Sequence, residues 1–242
     1  MKGVILAGGT GTRLFPLTKV TNKHLLPVGK EPMIFHPIEQ LVSAGISEIL
    51  IVTSTNHMGE IVKVLGGGSD FGCEFTYRVQ EEPQGIAHAL ALAESFSGHE
   101  KIVVHLGDNI FEYSIKPYVE HFRNQKGGAR VLLTEVSDPT RFGIAALDET
   151  QIIEIEEKPR VPKTNYAVVG VYMYSPDLFD IIRTISLSDR NEYEITSVNN
   201  EYIRRGMLQY DIVRGRWMDT GTFESFQQAN EILYALDNTL RY

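Results

Sequence analysis

The stretch Lys2-Gly3-Val4-Ile5-Leu6-Ala7-Gly8-Gly9-Thr10-Gly11-Thr12-Arg13-Leu14 decides how the rest of the chain is read. Gly3–Leu6 is a short apolar run between glycines, the pattern of a buried strand. The loop after it is not a P-loop, because Gly-Lys-Ser/Thr is missing at the required place. It is not a dinucleotide fingerprint either: Gly9 and Gly11 satisfy Gly-x-Gly, but the third glycine position is Leu14. Glycines here let backbone N–H groups come close to an anion, and Arg13 adds a charged fork suited to phosphate oxygens. The plain alternative is a tight turn that packs the strand against the next segment of chain.

Working outward, short apolar runs alternate with longer amphipathic ones. Strands are expected at Glu48–Thr53, Glu74–Val79 and Lys101–Leu106, with helices at Pro32–Ala44, His57–Leu65, Gln84–Phe96 and Ile115–Gln125. That alternation means βαβ units and a mainly parallel sheet. After about residue 129 the pattern changes. Ala129–Val136 and Tyr166–Tyr174 read as strands, and Phe142–Leu147 with Gln151–Glu157 as an antiparallel hairpin. Pro176–Ile185, Glu194–Arg205 and Phe223–Leu236 read as helices. No Pro/Gly/Ser linker divides the halves. The expected fold is α/β: a Rossmann-like, doubly wound, mainly parallel sheet with added antiparallel strands, in a single domain over residues 1–242.

Composition narrows the function classes. The chain has 242 residues, 31 Asp+Glu and 23 Lys+Arg, for a formal charge of −8. An acidic balance speaks against nucleic acid as a partner. The acid is unevenly placed: residues 1–30 hold Lys2, Arg13, Lys19, Lys23 and Lys30 and no acid at all. A basic segment beside a glycine loop is a reasonable phosphate site; chance is the alternative. The single cysteine, Cys73, leaves no disulfide within the chain and no cysteine-based zinc site. No apolar run reaches the ~18 residues of a membrane span, and no signal peptide is evident. No membrane partner and a cytoplasmic location are expected. The seven histidines show no paired metal-ligand spacing. His105, inside a strand, reads as a satisfied core residue, and nothing supports a covalent nucleophile.

Two acids stand at positions where ligands collect. The run Ile102–Leu106 ends in Gly107-Asp108-Asn109, and ligands sit beyond the carboxyl ends of parallel strands. A helix N-cap is the alternative for Asp108. Trp217-Met218-Asp219-Thr220-Gly221-Thr222 precedes the last helix, where Asp219 is a helix-start residue or a ligand, and Thr222 a cap. Gln80 stands between a strand and a helix, and its amide can donate and accept at once, matching one edge of a pyrimidine. In Gln151–Lys158, Glu157 continues the face of Ile153 and Ile155 if the strand persists, and a carboxylate there needs partners.

The run Gly8-Gly9-x-Gly11-Thr12-Arg13-Leu14, then Pro16-x-Thr18 and Lys23-x-Leu25-Leu26-Pro27-Val28, resembles the signature of the sugar-phosphate nucleotidyltransferases, most of all the glucose-1-phosphate thymidylyltransferases. The resemblance runs from Lys2 to about Leu233. It implies that Arg13 and Lys23 bind nucleotide phosphates, with Leu6, Gly8, Gly9, Gly11, Thr12, Gln80, Pro83 and Gly85 around the nucleotide. It implies that Asp108 and Asp219 hold a Mg²⁺ ion, a hard cation suited to carboxylates and phosphates. Glu156-Glu157-Lys158-Pro159 resembles the family's Glu-Glu-Lys-Pro, which makes Glu157 a sugar-hydroxyl ligand and Lys158 a sugar-phosphate ligand. Arg141-Phe142-Gly143 and Asn165-Tyr166-Ala167-Val168-x-Gly170 also match, implying Gly143, Val168 and Asn109 as sugar contacts.

The implied reaction transfers a nucleotidyl group from dTTP to glucose 1-phosphate, with release of pyrophosphate. UTP in place of dTTP, and a non-catalytic sensor on the same fold, are the alternatives. Gln80 does not separate dTTP from UTP, since uridylyl relatives also carry it. The complete set of charged residues argues against the sensor, and the missing third glycine against a dehydrogenase. One departure is His88, where the longer thymidylyltransferases usually carry Gln. Those longer relatives also extend past the last helix to build an effector site, so a chain ending at Tyr242 is expected to lack that site in full form. Family members are commonly homotetramers, so a homo-oligomer is expected.

Overall fold

A computed structural model describes residues 1–239 of the chain. The strands are β1 (Lys2–Ala7), β2 (Pro27–Val28), β3 (Glu31–Pro32), β4 (Glu48–Ser54), β5 (Glu74–Gln80), β6 (Ile102–Leu106), β7 (Asn109–Phe111), β8 (Ala129–Glu135), β9 (Gly143–Asp148), β10 (Gln151–Glu157), β11 (Tyr166–Tyr174), β12 (Leu208–Ile212) and β13 (Trp217–Asp219). The α-helices are α1 (Phe35–Ser43), α2 (Met58–Leu65), α3 (Ile86–Ala91), α4 (Glu94–Ser97), α5 (Lys116–Asn124), α6 (Leu178–Ile182), α7 (Ile195–Arg204) and α8 (Phe223–Thr239).

Side chains alternate faces along each central strand, and here both faces are apolar. Val4 and Leu6 of β1 join Leu50 and Val52 of β4 on one side, under α3, α6 and α7. Ile5 and Ala7 join Ile49 and Ile51 on the other, under α1, α2 and α5. Burial on both faces is what a doubly wound sheet requires. The central sheet has nine strands in the path β10-β9-β11-β6-β1-β4-β5, with β8 and β12 branching from β11. β6, β1, β4 and β5 are parallel. β11 runs antiparallel to β6, β8 and β9, and β10 is antiparallel to β9. This is the expected mainly parallel sheet with added antiparallel strands, as one domain. No helix of the described residues is long and apolar enough to cross a membrane.

Local departures have physical reasons. The run Gln84–Phe96 breaks into α3 and α4 where the ladder tightens, Ala93 N–H donating to Leu90 O at 2.9 Å. In β10 the register shifts between Ile152 and Glu154. This bulge puts Ile152 and Ile155 in the core and leaves Ile153 56% exposed. The even alternation of Ile153, Ile155 and Glu157 is therefore corrected: only Ile155 and Glu157 share the inner face. The strands β7, β12 and β13 are not among those expected from the sequence. β7 and β13 have three residues each, too few to show a period. Thr222 does cap α8, its Oγ1 accepting from Ser225 N–H at 3.3 Å.

Candidate active site

The carboxyl ends of β1 and β6 open into a cavity of about 410 Å³, within the range of small-molecule sites. The glycine loop forms one wall. Gly11 has φ +63°, and a Cβ there would come 2.8 Å from Thr18 Cγ2, so the turn before Thr12–Leu14 needs glycine. Gly11 and Thr12 shape this turn and do not line the cavity. Leu6, Gly8, Gly9 and Arg13 do. Of the five basic residues in the first thirty, only Arg13 and Lys23 line it; Lys2 pairs instead with Glu48 at 3.1 Å.

Asp108 follows β6, and Asp219 ends β13. The β7–β13 pair places Asp219 opposite Asn109, which joins the two acids. Thr220 closes the junction, donating from N–H at 2.9 Å and from Oγ1 at 2.7 Å to Asp108 O. Asp108 is not a helix cap. Its Oδ2 pairs with Lys23 Nζ, and its Oδ1 accepts from Asn109 Nδ2 at 2.9 Å. Burial alone would raise the Asp108 carboxyl, but Lys23, His24 and Asn109 together hold it far below the usual range. Asp219 is pushed the other way, first by burial and then by the charge of Asp108. It keeps an ion pair with Arg141 Nη2 at 3.3 Å.

Asn109 is held at both ends of its amide. Its Oδ1 accepts from Trp217 Nε1 at 2.7 Å and from Gly170 N–H at 3.1 Å, while its amide donates to Asp108. It holds three segments together at the cavity floor. Glu157 is likewise partnered by protein: Thr196 Oγ1 donates to it at 2.6 Å and Arg190 Nη1 at 3.2 Å. Lys158 Nζ lies 3.9 Å from the same carboxylate. Gly143 and Val168 line the cavity beside this group.

Gln80, Pro83 and Gly85 also line the cavity. Gly85 has φ +98°, and a Cβ there would meet Tyr193 O at 2.6 Å. This close approach sews the start of α3 to the segment before α7, with Tyr193 N–H donating to Gln84 O and Ala87 N–H to Tyr193 O. Arg141 and Arg190 also line the cavity, and sequence reasoning assigns neither a role. Arg141 carries a signal, since it begins the family-like run Arg141-Phe142-Gly143, whereas Arg190 lies in a charged loop with no pattern of its own. His24 lines the cavity too; burial first, then Lys23, lowers its imidazole to about 3, so it is neutral near pH 7.

The sequence matches the family described as nucleotidyl transferase over residues 2–235. The chain belongs to that family. As a nucleotidyl transferase it is 39% identical over 241 residues to the glucose-1-phosphate thymidylyltransferase of Mycolicibacterium smegmatis, covering 98% of this chain and 83% of the relative. It is 40% identical over 242 residues to the enzyme of that name from Neisseria meningitidis, covering 98% and 84%. A Bacillus anthracis protein described as a glucose-1-phosphate thymidylyltransferase, solved in complex with sucrose, superposes with TM-score 0.93 at 55% identity, covering 96% of this chain and 95% of that one. A UDP-glucose pyrophosphorylase complexed with UDP-glucose superposes with TM-score 0.86 at 25% identity, covering 97% and 98%.

Proposed function

We propose that this nucleotidyl transferase joins dTTP and glucose 1-phosphate to give dTDP-glucose and pyrophosphate. The observation that carries the reading is the meeting of Asp108 and Asp219 with Arg13, Lys23 and Arg141 in one cavity that Glu157, Lys158 and Arg190 also line. The thymidylyltransferase relatives at about 40% identity support the choice of dTTP.

The residues present fit Mg²⁺. The cavity lining holds Arg13, Lys23, Arg141, Lys158 and Arg190 against Asp108, Asp219, Glu157, Glu192 and Glu194. Positive and negative charge balance, so a triphosphate needs a further cation. Among the described residues no group of three His, Cys, Asp or Glu could hold a metal. Two protein carboxylates completed by phosphate oxygens suit Mg²⁺ better than an all-protein cage. Asp108 and Asp219 would hold it, and the raised Asp219 carboxyl is what such a cation would relieve. When bound, Mg²⁺ neutralises phosphate charge.

In the proposed mechanism the glycine loop and Arg13 hold the triphosphate with backbone N–H groups and a guanidinium. Lys23 neutralises charge at the reacting phosphate. Lys158 and Arg190 hold the sugar phosphate, whose oxygen attacks the α-phosphorus in line as the bond to pyrophosphate breaks. The nucleophile is already ionised near pH 7, so no general base is required. Catalysis is positioning and charge stabilisation. Gly143, Val168 and Glu157 form the hexose side, and Asn109 acts by holding the floor. Cytoplasmic residence and a homotetramer belong to the same reading; light scattering on the purified protein tests the assembly.

The relation to a UDP-glucose pyrophosphorylase keeps UTP as a second nucleotide. Measuring pyrophosphate release with glucose 1-phosphate, Mg²⁺ and each of dTTP, UTP, CTP, ATP and GTP decides between them. The highest kcat/KM with dTTP is expected. Turnover with UTP alone moves the reading to uridylyl transfer, and no turnover with any of them rejects catalysis.

A further inference from the structure

Gln80 can turn either end of its amide toward the cavity, and the two ends select opposite bases. An exposed oxygen satisfies a base edge that carries N–H; an exposed NH₂ satisfies one that carries a lone pair. The surroundings of Gln80 fix the choice. One amide atom lies 3.3 Å from Gly85 O, which is an acceptor only, so that atom is Nε2. The second Nε2 hydrogen points to His88 Nδ1 at 3.1 Å. Both amide hydrogens are thereby taken. Oε1 is left facing Gly8, whose Cβ, if present, would sit 3.3 Å from it. Gly8 and Gln80 line the cavity.

His88 is itself held in place. Its ring lies 6.2 Å from that of Tyr193, tilted by 31°. Tyr193 is tied to Gln84 and Ala87 on either side of Gly85. The acceptor pair of Gly85 O and His88 Nδ1 is therefore part of the scaffold.

We propose that His88 is a specificity-determining positioning residue: its unprotonated Nδ1 locks the Gln80 amide with Oε1 toward the base, so the site takes keto pyrimidines, thymine or uracil, and rejects cytosine. This rests on the reading that the Gln80 side of the cavity holds the base. Thymine and uracil present N3–H to Oε1. Cytosine presents the N3 lone pair, leaving two acceptors face to face. His88 touches no substrate and acts only through Gln80.

The test compares kcat/KM for dTTP and dCTP in the wild type, His88→Leu and His88→Gln. The wild type favours dTTP. In His88→Leu one lock is gone, and the dTTP/dCTP ratio falls roughly 3- to 10-fold, the size of one hydrogen bond, while kcat at saturating dTTP stays close to wild type. His88→Gln, whose side-chain oxygen can accept the same hydrogen, keeps the ratio within about twofold of the wild type on that footing. An unchanged ratio in a folded His88→Leu overturns the inference and leaves dTTP transfer standing. A wild type with no preference for dTTP over dCTP overturns the base-site reading itself. Independently of any variant, ¹⁵N NMR of the wild-type imidazole reads the tautomer. A proton on Nε2 with bare Nδ1 supports the lock, and a proton on Nδ1 overturns it.

Discussion

Asp219 lies directly opposite Asn109 in the antiparallel pairing of β13 with β7, which sets it near enough to Asp108 for the charge of Asp108 to raise the Asp219 carboxyl. The two acids come from distant parts of the sequence, and each is unfavourable to bury beside the other. Lys23 pairs with Asp108 and Arg141 with Asp219; the proposed Mg²⁺ would add a further positive charge. Asp108→Asn and Asp219→Asn are each expected to lower kcat by at least ~10², the scale of losing one key electrostatic group. Steady-state kinetics across a Mg²⁺ titration check this, and near-normal turnover in both variants would refute the metal assignment.

Asn109 is expected to act as a structural pin. Asn109→Ala leaves Trp217 Nε1 and Gly170 N–H without their acceptor. Buried donors left unpaired cost ~1–3 kcal/mol each, so a loss of ~2–6 kcal/mol in unfolding free energy is expected by urea titration. Gly170→Ala attacks the same point from the other side, because its Cβ would run into the Asn109 side chain. Both variants should lose stability and kcat together. A stable Asn109→Ala with only a raised KM for glucose 1-phosphate would make Asn109 a sugar ligand instead.

Lys158 is expected to serve the sugar phosphate alone. Its backbone has φ +46°, held by Lys158 N–H donating to Phe142 O at 3.0 Å. Lys158→Ala removes one of the cavity's cations and leaves Arg190 beside it, and KM for glucose 1-phosphate should rise by about tenfold or more, the scale of a charged hydrogen bond. KM for dTTP should stay within about twofold on the same footing. Separate substrate titrations read the two values, and an equal rise in both would reject the assignment.

His105 governs part of the acid response. It is fully buried in β6, where Nδ1–H donates to Leu106 O at 2.8 Å and Nε2 has no partner. The expected satisfied core histidine is therefore only half satisfied. Burial chiefly lowers its pKa from 6.5 to about 4. A lowered pKa means its contribution is fully present above pH 6.5 and is lost as pH falls toward 4. The loss is on the order of 3 kcal/mol. His105→Leu should flatten the fall of Tm over this window and leave kcat near neutral pH unchanged. An acid limb identical to wild type would contradict the account.

The legible part of the molecule is the part with a long or alternating pattern. Val4–Ala7 and Ile49–Val52 announce strands buried on both faces, and the helices that cover them carry their own apolar stripes. Asp108 is legible from its place after β6. Asp219 is legible only with the family signature, since three residues of β13 cannot show a period. Arg190 and the Gln80–His88 contact are not readable at all, because they depend on loops brought together by the fold. The bulge in β10 likewise leaves no mark in an unbroken run of isoleucine and glutamate.

The most direct measurement tracks the transferred atoms. Glucose 1-phosphate labelled with ¹⁸O in its phosphate is incubated with dTTP, Mg²⁺ and the enzyme, and the products are read by ³¹P NMR and mass spectrometry. The account predicts dTDP-glucose carrying ¹⁸O in the bridge between its two phosphorus atoms, with unlabelled pyrophosphate released in equal amount. Label in the pyrophosphate, release of dTMP without a sugar nucleotide, or no turnover would contradict attack by the sugar phosphate on the α-phosphorus.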